Sequence, residues 1–134
     1  MQPNNLVLRN ASLLGGTAVI ILALAAHGLK NILDADAVNS ISTAAEIQLF
    51  HALALLALSM MTFQIENYTI RICRIMTLGV LLFSGSIYIL AFKSILGLPW
   101  LKFFGPITPL GGVCLIAAWF MIFRMSMLKK SNLK

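Results

Sequence analysis

The feature that most constrains this chain is a series of four apolar blocks, each about as long as a bilayer is thick. The blocks cover residues 11–29, 44–63, 72–92 and 109–128. A helix of about 20 residues rises about 30 Å, which matches the hydrocarbon thickness of a membrane. The sequence therefore predicts a single domain of the all-α class, an integral membrane four-helix bundle.

Composition supports lipid, rather than water, as the surroundings of most of the surface. Hydrophobic residues make up 60% of the chain and charged residues 10%, whereas soluble domains carry about 25% charged residues. The formal net charge of +6 could indicate a nucleic-acid partner, but the cations flank the apolar blocks and form no patch with aromatic residues. We therefore predict the lipid bilayer as the main partner and no binding of nucleic acid.

The distribution of cations predicts the orientation of the chain in the membrane. Four spans place both termini on one side, and membrane proteins concentrate Lys and Arg in their cytoplasmic loops. Three cations fall on the side away from the termini: Lys30, Lys93 and Lys102. Both termini are therefore predicted to be cytoplasmic, on a face that attracts anionic lipid. Seven cations fall on this face: Arg9, Arg71, Arg74, Arg124, Lys129, Lys130 and Lys134.

Polar side chains lie near the outer ends of all four spans. Ionisable groups are costly in hydrocarbon, so their presence in a membrane helix indicates a structural or functional role. In the predicted orientation these side chains converge in the leaflet away from the termini and form a candidate polar cluster or ligand site. The candidates are His27, Glu46, Gln48, His51, Ser84, Ser86, Tyr88 and Thr108.

Two local patterns predict where helices begin. Residues 30–43 are predicted to form a loop, and Thr43 precedes Glu46 by three residues, which is the capping-box pattern. In that arrangement the Glu46 carboxylate bonds the amides of the first helical turn. Thr108 and Pro109 are predicted to be the N-cap and the first residue of the fourth helix.

The sequence also predicts hydrogen-bond partners for His51. Gln48 lies one turn away on the same helix face and can occupy one ring nitrogen. The other partner should come from a different helix, and His27, Ser86 and Tyr88 are the candidates by depth.

Small residues predict close helix contact in the fourth span. Gly111, Cys114 and Ala118 share one face, and small residues let membrane helices approach closely. This face is predicted to meet another helix rather than lipid.

Four motifs in order resemble a known family. They are residues 23–29 (ALAAHGL), 48–55 (QLFHALAL), 82–88 (LFSGSIY) and 107–112 (ITPLGG). The chain resembles the YgdD-type small inner-membrane proteins, a domain of unknown function that is similar to eukaryotic transmembrane protein 256. The resemblance implies a multi-pass protein of the bacterial inner (plasma) membrane and brings no established activity.

Three hypotheses remain for the polar cluster. The first is a non-enzymatic scaffold or accessory subunit without a cofactor or metal, associated as a homo-oligomer or with another membrane protein. The second is a ligand site. His27 and His51 with Glu46 could hold a metal, the two imidazoles could hold haem iron, or the cluster could hold a quinone or lipid headgroup. The third is transport of a small solute by an oligomer. No nucleophile elbow, phosphate loop or pair of catalytic carboxylates indicates an enzyme.

Overall fold

The computed structural model describes residues 4–61 and 66–131 and confirms the predicted fold class. Its long helices are α1 (Asn5–Ala26), α2 (Ala35–Met60), α3 (Glu66–Ala91) and α5 (Ile107–Ser131), with the short α4 (Lys93–Leu96) between the last two. Within these described residues, four helices are long and apolar enough to cross a membrane. The predicted end of the second span at Phe63 and the terminal cation Lys134 lie outside the described residues.

The first two helices form an antiparallel hairpin whose open end is closed by a hydrogen bond. Asn4 caps α1, since its side chain accepts a bond from the Val7 amide at 3.2 Å. The Asn4 backbone amide donates to the Ser59 carbonyl at 3.0 Å, near the end of α2. The start of α1 is therefore attached to the end of α2.

The second helix begins well before its predicted start, at Ala35 rather than Ala44. Asp34 is its N-cap, and the carboxylate accepts a bond from the Ala37 amide at 2.8 Å. The prediction of a loop over residues 30–43 was therefore wrong for residues 35–43, which are helical. Leu29–Asn31 form a 3-10 turn that precedes α2. The predicted capping box was also wrong, because Thr43 and Glu46 lie inside a continuous helix where the backbone amides already have partners.

The third and fifth helices form a second antiparallel hairpin, in which the backbones approach closely at glycine. A Cβ atom at Gly111 would collide with the Phe83 amide nitrogen and would lie 2.8 Å from the Phe83 Cα atom. One at Gly79 would lie 2.7 Å from Leu115 Cδ2. The prediction that the small residue Gly111 meets another helix is confirmed.

The fifth helix starts two residues earlier than predicted, so the prediction of Thr108 as its N-cap was wrong. It begins at Ile107, and the Thr108 amide bonds the Gly105 carbonyl at 3.3 Å. Thr108 therefore lies in the first turn, and its hydroxyl is directed to α3 rather than to the first-turn amides.

Between these two helices the chain runs over one end of the bundle. The short α4 is followed by its C-cap Gly97, whose φ of 60° favours glycine because a side chain with a Cβ atom is strained there. The 3-10 helix Pro99–Phe104 follows, with Leu101 buried and both Trp100 and Phe103 exposed. Exposed aromatic rings at the end of a membrane bundle are typical of the lipid–water interface.

The two hairpins are joined through α2 and α3, which form the centre of the bundle. In the most apolar stretch of each helix, 44% of the α2 residues and 39% of the α3 residues are buried, against 22% for α1. One core cluster includes residues of all four helices, such as Leu14, Leu55, Met76 and Leu115. The outer helices therefore offer most of the surface that meets lipid.

Candidate functional site

Gln48 is the centre of a hydrogen-bonded network that joins three helices. Its side-chain nitrogen donates to the Leu14 carbonyl at 2.9 Å and to the Thr17 hydroxyl at 2.7 Å, both in α1. Its side-chain oxygen accepts a bond from the Tyr88 hydroxyl of α3 at 3.0 Å. Gln48 is only 5% exposed, so these partners replace the water that a buried amide lacks.

His51 lies one turn further along α2 and contacts the outer helix α5. The indole nitrogen of Trp119 is 3.2 Å from His51 Nε2, and His51 Nδ1 is 2.7 Å from the Ile47 carbonyl. An indole N–H only donates and a carbonyl only accepts, so Nε2 accepts and Nδ1 carries the proton. The predicted partners Gln48, His27, Ser86 and Tyr88 were therefore wrong. The ring bonds its own helix and a tryptophan instead, in an edge-to-face contact with centroids 6.1 Å apart.

The two serines of α3 bond different neighbouring helices. Ser84 is fully buried and donates to the Ala44 carbonyl of α2 at 2.8 Å. Ser86 donates to the Phe83 carbonyl at 2.9 Å, so its 2.6 Å contact with Thr108 has the Thr108 hydroxyl as donor. The central helix α3 is thereby linked by hydroxyl groups to α2 on one side and to α5 on the other.

Two of the sequence candidates lie apart from this network. His27 is the exposed C-cap of α1, and Glu46 is exposed on α2. Ala52, which follows His51, packs against Gly15 of α1. The Ala52 Cβ atom lies 3.7 Å from the position that a Cβ atom at Gly15 would occupy. His27 follows Gly15 by 12 residues, which places the two histidines about 18 Å apart along the helix axis. No single metal or haem iron can be held by both.

Metal binding finds no other support in the described part of the chain. It contains no group of three or more His, Cys, Asp or Glu side chains able to share an ion. A lone pair on His51 Nε2 is the usual point of metal attachment, and here it receives the Trp119 N–H. The site is therefore suited to holding helices together.

Two members of the network were not among the sequence candidates. Thr17 was a detectable candidate, since it is a rare polar residue inside the apolar run of α1, and it also bonds its own helix at Leu13. Trp119 gave no such signal, because a tryptophan in a membrane helix commonly faces lipid. Its role depends on which face of α5 meets α2, and that follows only from tertiary packing.

Comparisons with known proteins agree with this architecture. The family described as "Protein of unknown function (DUF423)" matches residues 21–112. A UPF0382 membrane protein of Haemophilus influenzae is 36% identical over 86% of this chain and 88% of its own. The UPF0382 inner membrane protein YgdD of Escherichia coli K12 is 34% identical over 81% of this chain and 79% of its own.

A protein of Bacillus subtilis is similar as well. The UPF0382 membrane protein YwdK of Bacillus subtilis is 33% identical over 78% of this chain and 82% of its own. No solved structure matches the chain. With four helices long enough to span a bilayer and relatives that cover most of its length, the chain belongs to the DUF423 (UPF0382) family and is a multi-pass protein of the bacterial inner membrane.

Proposed function

We propose that this protein is a non-enzymatic scaffold or accessory subunit of the inner membrane, and that its polar cluster fixes the relative positions of the helices. The observation that carries the proposal is that the buried polar side chains of the cluster, at Gln48, His51, Ser84 and Ser86, already have hydrogen-bond partners within the bundle. Gln48 uses both ends of its amide on partners in α1 and α3, and His51 uses both ring nitrogens. A ligand site would need polar groups that are free to bind.

The energetics agree with a structural role. Hydrogen bonds between membrane helices contribute on average about 0.6 kcal/mol each and at most about 1.7 kcal/mol. Three links of this size, at Gln48, Ser84 and the Ser86–Thr108 pair, are modest in strength but specific in position. Because a polar group that shifts along its neighbour is left unpaired in a medium without water, the links select one register.

The ligand-site hypothesis has less support from the geometry. His27 and His51 are separated by about 18 Å along the axis, and a quinone or lipid headgroup would have to displace Tyr88 from Gln48. Transport by an oligomer has no dedicated support, because α2 and α3 are continuous helices through the middle of the bundle. Interrupted helices at mid-depth are the pattern that marks many transporters.

The deciding experiment combines a spectrum with a stability measurement. The wild-type protein, purified in mild detergent, is examined by absorption spectroscopy and metal analysis, and its thermal unfolding is compared with that of Gln48→Ala. We expect no chromophore and no stoichiometric metal, with a lower Tm for Gln48→Ala and an unchanged Tm for the exposed control Phe123→Ala. A bound metal or chromophore that is lost in a folded His51→Gln variant would overturn the proposal.

The orientation of the scaffold is a further part of the proposal. Both termini are cytoplasmic, on the side with more cations, where Arg9 and Arg74 are exposed and can contact anionic lipid. Single cysteines at Asp36 and Leu98, in a chain lacking Cys73 and Cys114, should react with an impermeant thiol reagent in intact cells. Labelling of a cysteine at Arg9 instead would invert the orientation.

A further inference from the structure

The end of the bundle away from the termini carries an open apolar groove of about 420 Å³, which we call the α3 groove. One wall is the last turn of α3 and the residue after it, through Tyr88, Ile89 and Phe92. The opposite wall is the connection to α5, through Leu98, Trp100 and Leu101. The groove is formed because the chain folds back over the end of α3 before α5 begins.

A second recess, of about 400 Å³, lies beside the α3 groove, and Leu98 lines both. Lys93 and Lys102 also line this recess, and both are exposed. Two ammonium groups in one recess repel each other, and an anion placed between them replaces this repulsion by attraction to both. The recess is therefore complementary to a negatively charged group.

The lysines of the recess are available for an external anion. No acidic residue follows Glu66 in the chain, and within the described residues neither lysine has a carboxylate as an ion-pair partner. Of the acids at this end, Asp34 accepts a bond from the Ala37 amide as the N-cap of α2. The Lys102 ammonium lies 5.6 Å from the centre of the exposed Phe103 ring, a weak contact at an exposed site.

The two recesses lie at the depths of different parts of a phospholipid. Ala91 follows Arg74 by 17 residues, a rise of about 26 Å within α3, and Lys93 comes two residues later. Arg74 and Lys93 thus mark the two faces of a hydrocarbon layer about 30 Å thick. Tyr88 and Ile89 lie about 6–8 Å from Lys93 on the hydrocarbon side. The lysines are therefore level with lipid phosphates, and the groove is level with the upper part of the acyl chains.

We propose that this end of the bundle binds one anionic phospholipid, with its phosphate between Lys93 and Lys102 and one acyl chain in the α3 groove. The lysines supply charge complementarity, and the exposed Ile89 and Trp100 supply apolar surface for the chain. Tyr88 presents its ring to the chain, because its hydroxyl is bonded to Gln48. The lipid therefore binds without displacing any partner in the network that joins the helices.

Native mass spectrometry of the whole protein in mild detergent tests the charge requirement. Dioleoyl phosphatidylglycerol, which is anionic, and dioleoyl phosphatidylcholine, which is neutral overall, are titrated onto the wild type and three variants. The variants are Lys93→Gln, Lys102→Gln and Lys30→Gln. Lys30 is the matched control, since it is an exposed lysine at the same end of the bundle and does not line the recess.

We expect the first phosphatidylglycerol to bind the wild type more tightly than phosphatidylcholine does. Lys93→Gln and Lys102→Gln should each raise the Kd for phosphatidylglycerol about fivefold, and Lys30→Gln should leave it unchanged. Equal affinity of the wild type for the two lipids overturns the proposal. The same Kd in all three variants also overturns it, because the lipid would then respond only to the overall charge.

A second pair of variants tests the acyl-chain groove. Ile89→Trp fills the groove, and Leu81→Trp adds the same ring to a site of α3 outside it that is 58% exposed. The Kd for phosphatidylglycerol should rise about tenfold in Ile89→Trp and stay unchanged in Leu81→Trp. Equal affinities in these two variants contradict the proposal.

A short-chain lipid repeats this test on the wild type, without any change to the fold. Dihexanoyl phosphatidylglycerol has the same headgroup but chains too short to fill the α3 groove. It should bind at least about tenfold more weakly than the dioleoyl lipid. Equal affinity for the two chain lengths would show that the lysines bind a free anion and that the groove has no part in recognition.

Discussion

The two hairpins of this protein are held together in different ways. Between α3 and α5 the contact is steric, because Gly111 brings its backbone against Phe83 and Gly79 lies against Leu115. Between α1 and α2 the contact is made by hydrogen bonds, because the Gln48 side chain donates to the Leu14 carbonyl and the Thr17 hydroxyl. Lipid supplies no hydrophobic drive for helix association, so close packing and interhelical hydrogen bonds are the two available sources of affinity. In this bundle the first hairpin relies mainly on hydrogen bonds at Gln48, and the second relies mainly on close packing at glycine, with the Ser86–Thr108 hydrogen bond beside it.

The comparison predicts that the largest effect will come from filling the glycine contact. In Gly111→Ala the new Cβ atom meets the backbone of Phe83 and lies 2.9 Å from the Gly79 carbonyl oxygen, and backbone atoms cannot rotate away. We expect thermal unfolding in mild detergent to show a loss of about 3 kcal/mol. Gly111→Leu should likewise cost more than Leu115→Ala.

The neighbouring glycine is the matched control. A Cβ atom at Gly112 would meet the Phe83 ring at 3.8 Å, which is ordinary van der Waals contact. Gly112→Ala should therefore unfold within about 0.5 kcal/mol of the wild type. Equal losses for the two variants would show that α3 and α5 do not approach at Gly111.

The next effect should come from the polar hairpin. Gln48→Leu keeps the volume of the side chain but leaves the Tyr88 hydroxyl without its acceptor, at a cost of about 1–3 kcal/mol. Tyr88→Phe removes the same bond from the other side. A double-mutant cycle on thermal unfolding should therefore show that the two losses are not additive. Additive losses would mean that Gln48 and Tyr88 act independently.

His51 should give a smaller effect, which depends on what replaces it. His51→Leu strands the Trp119 indole N–H, and because Trp119 is 49% exposed we expect a loss of about 1 kcal/mol. His51→Gln offers an amide oxygen to Trp119 and an N–H to the Ile47 carbonyl, so its stability should approach that of the wild type. Trp119 fluorescence in a Trp100→Phe background should shift in the leucine variant and much less in the glutamine variant. Identical spectra in both variants would contradict the contact.

The smallest effect is expected at the glycines of the first hairpin. A Cβ atom at Gly16 would meet nothing within 4 Å, and one at Gly15 would lie 3.7 Å from Ala52 Cβ. Gly16→Ala should therefore raise the unfolding free energy by at most about 1 kcal/mol through helix propensity alone. A loss as large as that of Gly111→Ala would remove the distinction between the two hairpins.

The sequence predicted the class of fold because bilayer thickness and helix rise leave little choice for four apolar blocks of about 20 residues. It misplaced the start of α2 because residues 35–43 contain polar side chains that suggest a loop. The missed signal was Asp34 followed by Asp36, an N-cap and an acidic first turn. Hydropathy alone measures burial in lipid and does not report where a helix begins.

The candidate site was predictable only in part. Gln48, Ser84 and Ser86 followed from the rule that polar groups in hydrocarbon need partners, and all three are buried and bonded. Their partners were not predictable, since Ser84 bonds a backbone carbonyl and His51 bonds a tryptophan. Which polar groups pair depends on the rotation and the depth of each helix in the membrane. A single sequence does not define these when a helix carries apolar residues on every face.

The pairing of sequence neighbours into hairpins has a consequence for biogenesis. When α1 and α2 are both in the bilayer, the Gln48 nitrogen has Leu14 and Thr17 of α1 as acceptors, before α3 inserts beside them. Only the Gln48 oxygen waits for Tyr88. The nascent chain thus brings the buried Gln48 amide into lipid with two of its three hydrogen bonds available, and insertion of the second hairpin completes the third. Contacts this local in sequence favour rapid assembly, because little chain entropy is lost in closing each pair.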